Sequence, residues 1–376
     1  MIAKFFKEPV YSNGSWSTFQ NDFITATGSI SAFEYDEQFT KPGDFTLTLP
    51  FNADAIKLFA AKGIVNGTVY VDGCWLWVQG ISYDDKTIVI TGKDCRGMLS
   101  TRITEYADAQ ETGTEGYDVA AGSTLDCIWH YINNNGAAPA DTARLLPFTG
   151  IEGAEGTPSD SYMSRLEVLT DVIERLCTDA DIGYKVVGNL QTGGFKVVTI
   201  KGVDRSHEQN DRPRVIFSAS HRNVTAQRFE HGVDNMYNAI YATDSSDTLS
   251  IVHRDDTPAS GLSRRECTIS AGISSTAPET GDYFDRYVLN EVSDNVETHS
   301  FDITVRTSGY GTDYNIGDYV SVQDDCTKGL YKMQITGVRR SYSSGQINIG
   351  IVLGKPKQKP LQMIVNNFIS GTARRR

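Results

Sequence analysis

Three clusters in the sequence combine residue types that can do chemistry. Asp84 and Asp85 are adjacent carboxylates. Asp94, Cys95 and Arg96 set a thiol between an acid and a base, and Cys127 stands three residues before His130. Two carboxylates can divide the acid and base roles of glycoside cleavage, and a thiolate served by a base can attack a carbonyl. Each cluster lacks a part. Adjacent residues of a tight turn point in different directions, and turns favour Asp because its carboxylate bonds the local backbone; Asp84-Asp85-Lys86 is therefore expected to be a turn. No His lies near Cys95 in sequence. Asp94 is placed to cap a helix over 95–103, with Arg96 and Arg102 pairing with acidic neighbours. Cys127, beside Asp126, reads as a core thiol with a half-buried His130. The histidines (His130, His207, His221, His231, His253, His299) form no HxH or HExxH pair. Asp313 and Asp318, or Asp324 and Asp325, lack the spacing of a calcium loop, and no glycine-rich phosphate cradle occurs. No catalytic residue, cofactor or metal ligand is assigned.

Bulk properties narrow the class. The 376 residues allow two to four domains. Hydrophobic residues at 39% and charged residues at 22% suit an ordered chain. A net charge of -12 argues against wrapping nucleic-acid phosphates, though not against a channel that DNA passes without adhering. The start "MIAKFFKEPV" lacks the apolar core of a signal peptide, and no apolar run of about 20 residues is present to span a membrane. The six cysteines are scattered without a CxxC pair and are expected as buried free thiols made in a reducing cytoplasm.

Periodicity then supplies the elements that would position these residues. "DFTLTL" (44–49) alternates, with Phe45, Leu47 and Leu49 on one face. "ADAIKLFAAKG" (53–63) reads as a short helix with contacts from Ile56, Leu58 and Phe59 and a cap at Gly63. Residues 67–92 read as a three-strand meander, turning at Asp72-Gly73 and at Asp84-Asp85-Lys86. Ser123 to Asp126 resembles a capping box ahead of a helix whose apolar face is Leu125, Ile128, Trp129 and Ile132, stopped by "NNNG". Leu166, Leu169, Val172, Ile173 and Leu176 mark a second helix, ended by Gly183, and "YKVVGNLQTGGFKVVTIKG" is a hairpin. Strands return at "RVIFSAS" and "MYNAIYAT". "YFDRYVLNEV" is ambiguous between helix and strand, and residues 314–354 read as four antiparallel strands.

An internal echo links two stretches. "QGISYDDKTIVITG" (79–92) lies beside "TGVRRSYSSGQINIG" (336–350), and "PGDFTLTL" (42–49) beside "IGDYVSV" (316–322). Antiparallel units share some of this pattern by chance. As a duplication, it means two related β barrels in one chain, and a trimer of such a chain offers six similar units around one axis.

In order and spacing, "KPGDFTLTLP", "ITGKDCRGMLSTRI", "TIKGVDRS", "RVIFSASHRNV", "SGLSRRE" and "SGYGTDYNIGDYVSVQ" resemble the tail-hub and tail-tip proteins of long-tailed phages, related in fold to the baseplate hub of contractile tails. The resemblance runs to about Gly354. It implies a mainly β, α+β fold: a first β-barrel domain over 1–104, an inserted α+β domain over 105–201, and a second β-barrel domain with an additional polar subdomain over 202–354. A basic amphipathic tail follows over 355–376. It also implies a non-enzymatic structural hub in the virion, at the distal end of the tail. There a homotrimeric, pseudo-sixfold ring would close the tube and contact a distal tail ring protein, the end of the tape-measure protein and tip or fibre proteins, with DNA only in transit and no membrane insertion. Larger members continue into a peptidase, lysin or fibre-binding region; that activity is not carried over to this sequence.

Two surfaces stand out as candidates. The tail holds six basic residues and no acid, so the first 354 residues carry -18. Its Leu361, Ile364, Val365, Phe368 and Ile369 form an amphipathic stripe ahead of Arg374, Arg375 and Arg376. It is expected either to dock on an acidic, apolar groove of a neighbouring subunit or other tail protein, or to fray. Glu105, Asp108, Glu111, Glu115 and Asp118 lie in a stretch without a base, suited to lining a lumen that phosphates slide past. Two other function classes stay open: a cell-wall-degrading hydrolase, and a receptor- or carbohydrate-binding module stacking sugars on Trp16, Trp75, Trp77 or Trp129. Trp75 and Trp77 share one strand face, where barrel packing is the expected use.

Overall fold

Alternating apolar and polar residues, the mark of a half-buried strand, shape most of the computed structural model. It describes Met1–Gly354 except residues 53–55, 59–63, 106–117, 156–158, 192, 235, 256–257, 272–274, 276–282, 293–294, 296–297, 306–308, 327 and 344. Two units are distinguished: unit 1 holds Met1–Gln227 and Asp302–Gly354, and unit 2 holds Arg228–Phe301.

Unit 1 begins with β1 (Ala3–Phe6), β2 (Tyr11–Ser12), β3 (Ser15–Trp16), β4 (Phe23–Thr27), β5 (Ala32–Gln38), β6 (Asp44–Pro50), β7 (Thr68–Val71), β8 (Cys74–Tyr83) and β9 (Thr87–Asp94). A 3-10 helix, Cys95–Thr101, leads to an inserted α+β segment. The segment comprises β10 (Asp118–Gly122), α1 (Thr124–Ile132), β11 (Phe148–Gly153), β12 (Ser159–Ser164), α2 (Leu169–Ala180), β13 (Ile182–Gly188) and β14 (Phe195–Lys201). Short β15 (Ile216–Phe217) and β16 (Val224–Gly232) lead out of the unit. Unit 2 contains β17 (Ala239–Thr243), β18 (Leu249–His253), β19 (Glu266–Ser270) and α3 (Tyr283–Glu291). The chain returns through β20 (Thr298–Val305) to β21 (Tyr319–Gln323), β22 (Leu330–Ser343) and β23 (Gln346–Gly354).

The main sheet has 13 strands and no closed barrel among the described residues, so the two expected barrels are not confirmed. Its order runs β16-β20-β23-β22-β5-β6-β9-β8-β7-β1-β4, with β21 on β22 and β15 on β21. The β22–β5 pair, Gly337↔Gln38 to Ser343↔Ala32, joins two halves whose orders repeat. In the first half the meander β7-β8-β9 is followed by β6 and β5. In the second, the meander β21-β22-β23 is followed by β20 and β16, whose unit 1 ends meet where Thr225 Oγ1 donates to Thr304 O at 3.0 Å. Both hairpins carry a bulge one residue before a glycine, between Val78 and Gly80 and between Ile335 and Gly337. The hairpin half of the internal echo therefore has a structural counterpart. Its other half does not: β6 stands where β20 stands, whereas β21 matches β7.

Each face of the first half-sheet has its own core. Phe33, Tyr35, Phe45, Leu47, Leu49, Val69, Val71, Leu76, Val78, Ile88 and Ile90 share one cluster. Trp75 and Trp77, one residue out of phase, point to the opposite face and pack with Phe6, Phe19 and the insertion's Tyr131, Phe148, Leu169, Ile173, Tyr184 and Phe195. The tryptophans thus hold the insertion rather than fill a barrel, and at 5% and 9% exposure they offer no stacking face.

Several local readings shift. The capping box at Ser123–Asp126 is present, but α1 buries Thr124, Cys127, Ile128, Tyr131 and Ile132, leaving Leu125 and Trp129 half-buried. "NNNG" does not stop the helix; it continues as a π-helix over Asn133–Ala137, where buried Asn135 donates to Tyr131 O at 2.9 Å. Leu166 precedes α2, 54% exposed with φ 56°. Asp181 ends that helix in the left-handed conformation, while Gly183 lies inside β13, where a Cβ would stand 2.4 Å from the Phe39 ring. "YFDRYVLNEV" resolves as α3, and the last 40 residues give three strands because β22 runs unbroken through its bulge. Of the helix expected at 53–63, only Ile56–Leu58 lies among the described residues, with Leu58 buried and Ile56 exposed.

Unit 2 is a three-stranded sheet, β18-β17-β19, antiparallel then parallel. Phe284 and Val288 of α3 and Val292 just after it are buried, and Arg254 ties the unit by donating to Tyr237 O (3.0 Å) and Val292 O (2.6 Å).

Candidate functional site

Asp84 is a turn residue. Its Oδ1 accepts from Lys86 N (2.8 Å), Thr87 N (2.6 Å) and Thr87 Oγ1 (3.1 Å) between β8 and β9. Those donors lower the pKa of its fully exposed carboxyl. The carboxylate is spent on the hairpin.

Asp94 ends β9 and caps the 3-10 helix, accepting from Arg96 N at 3.0 Å. It does more than a cap. Oδ1 accepts from Arg96 Nε (2.9 Å), and Oδ2 accepts from Arg96 Nη2 (2.8 Å), Gly43 N (2.7 Å) and Tyr35 Oη (3.3 Å). Arg96 Nη1 donates onward to Tyr184 O (2.9 Å) and Phe39 O (3.4 Å), and its guanidinium carbon lies 5.2 Å from the Tyr184 ring centre. Burial opposes the Arg96 charge, but the bidentate carboxylate outweighs it and holds the group protonated. Gly43 is required: a Cβ there would stand 1.9 Å from Asp36 O. Burial, then Asp94, pushes the fully buried Cys95 thiol well up, so no thiolate is available. Among the described residues Arg102 meets no acid; it donates to the carbonyls of Arg144 (2.7 Å), Thr101 (3.1 Å) and Leu145 (3.5 Å) and to Thr101 Oγ1.

A second arginine closes the β22–β5 joint. Arg340 bonds Glu37 Oε2 and reaches Asp72 Oδ2 at 3.4 Å, while Tyr310 Oη donates to the same Glu37 oxygen at 2.9 Å. Its guanidinium lies 5.1 Å from the Tyr310 ring centre and 5.9 Å from that of Tyr35. Burial lifts the pKa of neighbouring Cys74 to about 12. A third pair, Arg205 Nε to Asp318 Oδ2 (3.1 Å), lies farther along. Together these pairs line a cleft of about 1160 Å³ between the main sheet and the insertion, walled by Tyr70, Trp75 and the β13–β14 hairpin. Nothing in it pairs a nucleophile with a base. Its arginines are bound to acids in fixed geometry, an arrangement suited to holding segments together.

The Gly-Lys-Asp-Cys-Arg node, residues 92–96, falls within a stretch that known proteins share. The family described as Siphovirus ReqiPepy6 Gp37-like protein matches residues 24–249, more than half of the chain. The chain belongs to this family of siphovirus tail proteins. Among solved structures it is similar to the prophage MuSo2 43 kDa tail protein from Shewanella oneidensis, with TM-score 0.51 and 13% identity over 94% of this chain and 98% of that one. It is also similar to the tail protein from Neisseria meningitidis MC58, with TM-score 0.53 and 13% identity over 94% and 96%. At that identity both show a shared fold. No curated protein matches the sequence.

For a siphovirus tail protein the remaining candidate residues fall into place as contacts. His130 Nε2 lies 2.6 Å from Asp118 Oδ1, and Cys127, three residues before it on α1, is buried. Glu105 pairs with Arg144. Two of the five proposed lumen acids are thus engaged, while Asp108, Glu111 and Glu115 lie outside the described residues, as do Leu361, Ile364, Val365, Phe368, Ile369 and Arg374–Arg376 of the tail. Among the described residues there is no group of three or more His, Cys, Asp or Glu able to hold a metal ion, and no helix long and apolar enough to cross a membrane. Sequence reading missed Glu37, Tyr310 and Arg340. Their only signal is Arg339-Arg340 inside a strand otherwise free of charge between Gln334 and Ser343, which marks a cation that needs a partner.

Proposed function

We propose that this tail protein is a hub: a homotrimeric ring at the distal end of the tail tube, in which each copy's two half-sheets act as two barrel-like domains. The repeated strand order across the β22–β5 joint carries this reading, because three copies of a doubled unit present six similar positions to a sixfold partner. The proposed organisation is 1–104 and 202–354 as the two related domains, 105–201 as the insertion and 355–376 as a docking tail. Family membership implies a place in the virion tail. The proposed partners are further copies of itself, a distal tail ring protein, the tape-measure end and tip or fibre proteins, with DNA only in transit. Leu361, Ile364, Val365, Phe368 and Ile369 are proposed to seat the tail on a neighbour, with Arg374–Arg376 supplying charge. Glu105, Asp108, Glu111, Glu115 and Asp118 are proposed to line the lumen. Mass determination in solution and an image of the particle test the hub reading. A threefold density for this chain at the distal tip supports it; a copy number that is not a multiple of three, or a position along the tube, removes it. A purified chain that clears a cell-wall gel would revive the hydrolase alternative.

A further inference from the structure

The cleft of unit 1 is lined by three arginines and three lysines against four acids, a net charge of +2. Its four acids are all occupied: Asp94 by Arg96, Asp318 by Arg205, and Glu37 and Asp72 by Arg340. Lys4 on β1, Lys185 on β13 and Lys201 on β14 also line it, and none of these lysines has a hydrogen-bond or carboxylate partner among the described residues. Lys185 and Lys201 are exposed and Lys4 is half-buried beside Tyr70, its partner in the β1–β7 register. A cleft with a net charge of +2 is the exception in a chain of net charge -12. It calls for an anionic occupant with apolar or aromatic groups to set against Tyr70 and the cleft wall.

The chain itself contains such a segment. Residues 106–117, "YADAQETGTEGY", hold Asp108, Glu111 and Glu115 with no base, between Tyr106 and Tyr117. We propose that the 106–117 segment of one copy docks in the lysine-rimmed cleft of the next. This inference rests on the ring reading above and names the contact that would close it. Segment and cleft are different surfaces of one chain, so the contact is head-to-tail, the kind that generates a ring when its rotation closes.

Charge exchange in the full-length chain tests the contact. Lys185→Glu with Lys201→Glu should weaken self-association about tenfold or more by analytical ultracentrifugation, as should Glu111→Lys with Glu115→Lys, and added salt should shrink both effects. The combined variant should recover to within about threefold of wild type. A second readout fixes the partner. In a Cys326→Ser background, Lys185→Cys chains mixed with Glu111→Cys chains should form a disulfide between chains. Reversals that leave association unchanged, a combination that fails to recover it, or a cross-link confined to one chain carrying both cysteines would each overturn the proposal while the ring stands. A wild-type chain that never self-associates removes the ring reading and this contact with it.

Discussion

Arg96→Met removes the centre of the Asp94 node while keeping side-chain length and apolar contact. The change deletes Nε and Nη2 bonds to Asp94 at 2.9 and 2.8 Å and the Nη1 bond to Tyr184 O at 2.9 Å. It leaves Asp94, whose side chain is 7% exposed, facing an apolar group. Breaking a buried ion pair from one side costs about 3–5 kcal/mol. Asp94 keeps three donors, Gly43 N, Tyr35 Oη and the residue 96 amide, which places the expected loss near the lower end, about 3–4 kcal/mol. At about 2–4 °C per kcal/mol for a large unit, Tm should fall by roughly 6–15 °C. All four tryptophans lie in unit 1, so intrinsic fluorescence follows that unit alone. The companion Asp94→Asn/Arg96→Met removes both charges, and its loss should be smaller than the sum of the single losses by about 2 kcal/mol. A loss below about 1 kcal/mol for Arg96→Met, or strict additivity in the double variant, would refute the view that an orphaned buried charge is what the arginine prevents.

Other outcomes follow from the same contacts. Gly43→Ala, which drives a Cβ to 1.9 Å from Asp36 O, should lower the denaturation midpoint of unit 1 by at least about 1–3 kcal/mol equivalent. His207 is held below its usual pKa of 6.5, chiefly by burial. The folded unit then binds fewer protons than the unfolded chain below that pH, so stability present above pH 6.5 is lost as pH falls through it. His207→Gln should therefore show a smaller drop in urea midpoint between pH 7 and pH 5 than wild type. With a thiol reagent at pH 8, exposed Cys326 should label first, Cys74, lifted to about 12, should lag, and buried Cys95, Cys127 and Cys177 should label only on unfolding. Fast labelling of Cys95 would contradict its burial.

What the sequence made legible was local. The alternation of Phe45, Leu47 and Leu49, the Asp72-Gly73 turn with both φ values positive, the Ser123 capping box and the Asp84 turn each depend on neighbours within a few residues. Asp94 was legible as a cap, because capping is local, but not as the partner of Gly43 and Tyr35, 51 and 59 positions away, nor was Arg96 legible as the donor to Tyr184, 88 positions away. The same limit explains Trp75 and Trp77. Their phase on β8 was readable, but which face met the other core depended on where the insertion docks. Gly183 looked like a helix stop because glycine is common there; in the fold its missing Cβ makes room for Phe39. The Glu37–Arg340–Tyr310 group joins segments about 300 residues apart and had no local signature.

The distribution of charge connects these features to assembly. Every arginine of the cleft is paired with an acid that is distant in sequence or caps a turn, so these pairs fix β5, β22 and the insertion against one another within one chain. The lysines that share the cleft do not take part. Arginine's planar fork suits such fixed bidentate geometry, whereas a lysine ammonium on a flexible stem keeps its hydration and is readily available to another chain. The division between paired arginines and unpaired lysines thus separates contacts that build the fold from contacts left for a neighbour. It also predicts where salt acts: raising ionic strength should leave the fluorescence-monitored unfolding midpoint of unit 1 nearly unchanged, because its arginine pairs are sheltered, while weakening association between copies. Equal salt sensitivity of the two would mean that the arginine pairs are no better shielded than the lysines, and that division would fail.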